Sequence, residues 1–133
     1  MNSENLTRIG FCNWQPFRPP AGREILRGVP TLPGVFAIRR ETSFPCARGT
    51  SDLIYIGSAT NENGLRTRIG QIFTPGPTQS TNRRLRDLVG KTEAYNVSWL
   101  ETDSKARAKQ LKSELLEQYE KEHGELPPEN LRR

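Results

Sequence analysis

The chain has 133 residues, 33% of them hydrophobic, with 20 lysines and arginines against 15 acids for a net charge of +5. That length suits one domain around one core. Two cysteines without C-x-x-C spacing and a single histidine exclude the usual zinc ligand sets, and no run approaches the roughly 20 apolar residues of a membrane span.

Residues 1–32 contain Pro16, Pro19, Pro20 and Pro30, which break any long element. Ile9, Phe11, Trp14 and Phe17 are apolar enough to pack. The segment is therefore expected as an extended N-terminal arm laid on the domain, with one helical turn over Arg23 to Arg27. The first five residues lack the basic start and apolar run of a secretory leader. A reduced, cytoplasmic chain is expected, with a single Cys12–Cys46 disulfide left open as the alternative.

Gly34 to Arg40 and Leu53 to Gly57 are β-rich runs bounded by turn formers. They predict an antiparallel pair joined by an exposed loop over Glu41 to Asp52. Leu65, Ile69, Ile72 and Phe73 then recur at helical spacing. Pro75, Gly76 and Pro77 end that helix. Thr81 or Asn82 is placed to cap a second one bearing Leu85, Leu88 and Val89, which Gly90 closes. Tyr95, Val97 and Trp99 alternate with polar neighbours and predict a strand over 94–100. Asp103 or Ser104 starts a last helix that runs to His123 and stops at Gly124. The order predicts an α+β fold, a small three-stranded antiparallel sheet flanked by helices.

Charge is unevenly placed. Residues 66–91 hold Arg66, Arg68, Arg83, Arg84, Arg86 and Lys91 against one acid, Asp87. Such a segment is the footprint of a phosphate-backbone binder or the solvated face of ordinary helices. Nucleic acid, DNA in particular, is the expected partner.

Gly34-Val35-Phe36 and Tyr55-Ile56-Gly57, followed by Gly64-Leu65-Arg66-Thr67-Arg68, resemble the paired motifs and arginine helix of the GIY-YIG nuclease family. The segments Phe73 to Asn82 and His123 to Asn130 resemble those of a little-characterised bacterial subgroup. The likeness runs from about Pro33 to Asn130, so a GIY-YIG-like domain is expected over 33–133. It implies a DNA endonuclease in which Tyr55 positions or activates water and Arg68 stabilises the phosphate. It also implies a divalent metal, magnesium or manganese, held by a glutamate of the last helix.

Two positions depart from the family pattern. Phe36 stands where the first motif ends in tyrosine. Lys112 stands where the family has its metal-binding glutamate, three residues before the Leu115-Leu116 pair; the nearest acid, Glu114, needs a rotated helix to serve. Lys112 is then either a fixed charge in place of the metal or a lysine snorkelling from the edge of the stripe. Asn130 matches a terminal asparagine of the family or is a plain loop residue. Arg66, Arg83, Arg84 and Arg86 are the candidate backbone contacts. Tyr55 and Arg68 favour the endonuclease. Phe36 and Lys112 favour the alternative, a catalytically impaired nucleic-acid-binding module on the same fold.

Overall fold

Val35 and Ala37 face one way and Phe36 and Ile38 the other, all fully buried. That double burial makes β2 (Gly34–Pro45) an inner strand of the sheet. A computed structural model describes residues 1–91 and 94–132. β2 pairs antiparallel with β3 (Thr50–Ala59) on one side and β4 (Tyr95–Glu101) on the other. Phe36 faces Gly57 across one ladder and Trp99 across the other.

Among the described residues the sheet has four strands, not the expected three, in the order β1-β4-β2-β3. β1 is the two-residue Gln15–Pro16, paired with Val97 and Asn96 of β4. Proline removes a backbone donor, which an edge strand tolerates; Pro16 therefore marks an edge where the sequence suggested a break. The 41–52 connection is also mostly strand. β2 continues to Pro45 and β3 starts at Thr50, leaving a short turn closed by Cys46 N–H donating to the Gly49 carbonyl at 2.9 Å.

The N-terminal segment is not an extended arm. It contains α1 (Ser3–Arg8), whose first turn is capped by the Asn2 side chain, and a 3-10 turn over Arg23–Gly28. Phe11 and Phe17 are buried, whereas Ile9 is 50% exposed.

Helices cover both faces. α4 (Lys105–His123) and α1 pack Leu111, Leu115, Tyr119 and Leu6 on Val35, Ala37, Leu53 and Ile56. On the other face lie α2 (Gly64–Phe73), α3 (Ser80–Val89) and the 3-10 turn, packed on Phe36, Ile38 and Trp99. Leu65 and Ile69 of α2 are fully buried there, each contributing roughly 1.5–3 kcal/mol of transfer free energy. Ser104 caps α4 by accepting from the Arg107 N–H at 3.0 Å, and Gly124 ends it at φ +77°. His123 is buried, with one ring nitrogen 2.8 Å from the Arg48 carbonyl. Cys12 and Cys46 are free thiols. Among the described residues no helix is long and apolar enough to cross a membrane.

Candidate phosphate-binding cleft

A bulge aims the tyrosine. The β2–β3 register steps from Ile38 opposite Tyr55 to Arg39 opposite Leu53, which leaves Ile54 as an extra residue. The extra residue breaks the strict alternation of sides. Ile54 and Tyr55 both join the α2–α3 side of the core, whereas Leu53 and Ile56 join the α4 side. Gly57 then makes room. A Cβ there would sit 2.6 Å from the Phe36 ring and 2.8 Å from the Tyr55 ring. The two rings occupy that space, 5.8 Å apart between centroids.

Arg68 meets them from α2. The stripe of Leu65, Ile69 and Ile72 points into the core, and Arg68, three residues after Leu65, leans the same way beside α3. One Nη donates to Asn82 Oδ1 at 2.7 Å and the other to the Tyr55 hydroxyl at 3.2 Å. Its guanidinium carbon lies 5.0 Å from the Phe36 ring centroid, a cation–π contact that holds the charge over an aromatic floor. All three partners are neutral. Among the described residues, Arg68 forms no ion pair with a carboxylate.

Asn82 is buried, and its Nδ2 donates to Gln79 Oε1 at 3.0 Å. Gln79 Oε1 also accepts from the Gly76 N–H at 2.9 Å. The 74–79 loop thus orients Gln79, Gln79 orients Asn82, and Asn82 orients Arg68. Sequence reasoning missed both roles, taking Asn82 only as a cap. The signal was there: Asn82 lies three residues before Leu85 and seven before Val89, inside the buried stripe of α3.

Tyr55 opens into a cleft of about 580 Å³ at the outer edge of β3, shared with Lys112, Arg84, Glu129 and Asn130. Lys112 reaches it from α4. It forms no hydrogen bond or ion pair within the described residues. Burial pushes its ammonium below the ordinary lysine range, and the positive charge of Arg68 pushes it further the same way. Arg84 donates from Nε to Glu129 Oε1 at 2.9 Å and from Nη2 to the Glu129 carbonyl at 2.8 Å. Asn130 is a structural clamp. Its Oδ1 accepts from Ile56 N–H and its Nδ2 donates to the Ile56 carbonyl, both at 2.9 Å. The side chain so mimics a neighbouring strand and closes the exposed edge of β3.

The other expected residues lie elsewhere. Arg66 sits on the far flank of α2, its Nε donating to the Val29 carbonyl at 2.8 Å. Arg83 donates to the Pro77 carbonyl at 2.7 Å, and Arg86 pairs with its neighbour Asp87 at 3.4 Å. Glu114 is exposed and pairs with Arg107 at 3.3 Å; it does not line the cleft. Helix phase decides this, since Glu114 follows the inward Lys112 by two residues, about 200° around α4.

The donor set does not fit a divalent ion. Magnesium demands oxygen ligands, preferably carboxylates. Among the described residues, the one acid lining the cleft, Glu129, is engaged by Arg84, and Lys112 brings a cation instead. Among the described residues, no three His, Cys, Asp or Glu side chains come together as a metal group. What the cleft offers is Lys112, Arg84 and Arg132 at its walls, Arg68 behind Tyr55, and a tyrosine hydroxyl. Donors and cations of this kind can hold an anion with several acceptor oxygens.

No protein-family model matches the chain, and comparison with curated proteins and with solved structures finds no match either.

Proposed function

We propose that this chain is a nucleic-acid-binding module of GIY-YIG-like design that holds a backbone phosphate, without a metal, between Arg68, Lys112 and Tyr55. One observation carries the reading: Lys112 faces the cleft, Arg68 stands behind the tyrosine hydroxyl that opens into it, and neither cation has a carboxylate partner among the described residues. Keeping two like charges together, one of them desolvated, costs stability unless a ligand neutralises them. A phosphodiester does so with two oxygens, and Tyr55 donates to it while accepting from Arg68. The motif resemblance agrees with a phosphodiester, and Lys112 in place of the glutamate agrees with binding in place of cutting.

The test is DNA binding by fluorescence anisotropy in chelator and in magnesium. Wild type should bind equally in both. Arg68→Ala and Lys112→Ala should each weaken binding at least several-fold. Binding that requires magnesium, or that is indifferent to both substitutions, refutes the proposal. The Tyr55–Arg68 contact favours a second reading, the metal-dependent endonuclease. On that reading plasmid is nicked with magnesium or manganese, and Arg68→Ala abolishes nicking. One well-placed donor is worth roughly 2.7–4 kcal/mol of transition-state stabilisation.

A further inference from the structure

Four of the five lysines, Lys91, Lys105, Lys109 and Lys121, are exposed. Lys112 is the exception. It is half-buried and reaches from α4 into the cleft that Tyr55 lines. An exposed lysine keeps its charge against water or a carboxylate, as Lys121 does against Glu117 at 3.3 Å. Lys112 has no such partner among the described residues. Glu129, on the cleft wall, is held by Arg84 at 2.9 Å, and Glu114 pairs with Arg107 at 3.3 Å.

A lysine withdrawn from water beside a second cation is placed to act as a nucleophile. Burial disfavours its ammonium, and the Arg68 guanidinium disfavours it further, so both press the group toward the neutral amine. That amine carries a lone pair and attacks carbonyl carbon. The closed sugars of an intact strand offer it no aldehyde. A deoxyribose that has lost its base opens to an aldehyde at C1′, close to the carbon that bears the 3′ phosphate.

We infer that Lys112 is the nucleophile of a carbonyl-capturing site, and that its substrate is the aldehyde of a base-free deoxyribose in a nucleic-acid strand. The inference rests on the phosphate reading of the cleft, which brings the strand to the amine. As an ammonium, Lys112 attracts the phosphate; after losing a proton to water, it attacks the neighbouring C1′. The Nζ lone pair forms the C–N bond, one amine proton leaves, and the carbonyl oxygen takes up a proton. That oxygen then departs as water while the nitrogen gives up its remaining proton, which leaves an imine. Nothing is oxidised or reduced. Tyr55 supplies a proton donor on the same wall: its oxygen accepts from Arg68 at 3.2 Å, so its O–H is free for the substrate oxygen.

The experiment incubates the full chain with a short single strand carrying one base-free deoxyribose, at about pH 7, where exposed lysines are almost wholly protonated. Borohydride reduces any imine to a stable adduct. The same strand with all its bases is the companion probe, followed by anisotropy and by trapping. Wild type should form a one-to-one adduct with the base-free strand and none with the intact strand, and peptide mapping should place it on Lys112. Lys112→Arg keeps a cation without a nucleophilic amine, and the adduct should fall by at least an order of magnitude. Lys109→Arg, at an exposed position of α4, should leave it unchanged. The competing α-amine of Met1 is engaged by Glu122 and His123, and the map distinguishes it. An adduct on other amines, or one that survives Lys112→Arg, refutes the inference. If no adduct forms while wild type binds intact strand and Arg68→Ala weakens that binding, the capture is refuted and the phosphate reading stands. A wild-type chain that binds neither strand and forms no adduct overturns both. Should Lys112→Arg unfold, as its urea transition reports, the map of the wild-type adduct decides alone.

Discussion

Replacing Gly57 by alanine tests how the site is built. Gly57 is not among the glycines with positive φ, so alanine fits its backbone. The obstacle is the pair of rings. The new Cβ would lie 2.6 Å from Phe36 Cε1 and 2.8 Å from both Phe36 Cζ and Tyr55 Cε2. Ordinary contact begins near 3.4 Å, so each ring must retreat by roughly 0.6–0.8 Å. Phe36 is fully buried against the core and has little room to move. Overpacking of this kind costs about 1–3 kcal/mol. The Tyr55–Arg68 bond, already 3.2 Å long, has little slack before it fails as a hydrogen bond. Gly57→Ala should therefore lower the urea midpoint at unchanged slope and weaken phosphate-dependent binding under conditions where the protein stays folded. Phe36→Leu removes one of the two obstructing rings. Alanine at 57 should cost less in that background, with a coupling of about 0.5–3 kcal/mol in a double-mutant cycle. A single variant as stable as wild type, or strictly additive effects, would refute the account of ring packing.

Two further outcomes follow from the same geometry. Lys112 is depressed in the folded chain, so between its folded and unfolded pKa values the unfolded chain holds more protons and stability rises with pH; below that window the buried charge weighs on the fold in full. Lys112→Met should raise the melting temperature near pH 7 and flatten the alkaline rise; on the proposed reading inorganic phosphate should stabilise wild type and not this variant, all readable by calorimetry. Asn130→Leu strips both bonds from the Ile56 backbone and leaves a buried donor and acceptor unpaired, at about 1–3 kcal/mol each; amide exchange at Ile56 should quicken by more than at Val35, which β4 keeps paired.

The strands and helices were legible because their signals are local. Val35-Phe36-Ala37-Ile38 is a continuous buried run, and Leu65, Ile69 and Ile72 keep helical spacing. Ser104 and Gly124 are cap residues where caps were needed. What the sequence hid depends on partners far along the chain. Pro16 forms a strand only because Asn96 lies beside it. Asn82 looks like a cap until Arg68 is placed opposite its amide. Asn130 reads as a tail residue, yet its amide pairs with a backbone 74 positions earlier. Arg66 and Arg68 read alike in sequence; the helix sends one to a tyrosine and the other to the carbonyl of Val29.

The two departures from the resembled motifs belong to one physical change. A phenylalanine at 36 takes away a hydroxyl and leaves a π face under Arg68. A lysine at 112 stands where the resembled motif has an anion that would hold a metal, and it brings a positive charge to the cleft. Both changes keep positive potential in the cleft and remove groups that respond to the reaction. An ammonium attracts a phosphodiester in its ground state about as well as in the pentavalent state, and uniform binding of that kind raises affinity without lowering the barrier. A bound metal, by contrast, can activate water and stabilise the leaving oxygen as charge develops. On the proposed reading, restoring the acid alone by Lys112→Glu should cost affinity and yield no cleavage, because a single carboxylate beside the engaged Glu129 is not a magnesium site. Measured nicking by that single variant, in magnesium and absent from Lys112→Ala, would show that the cleft is a nuclease centre lacking one ligand and that the binding reading is wrong.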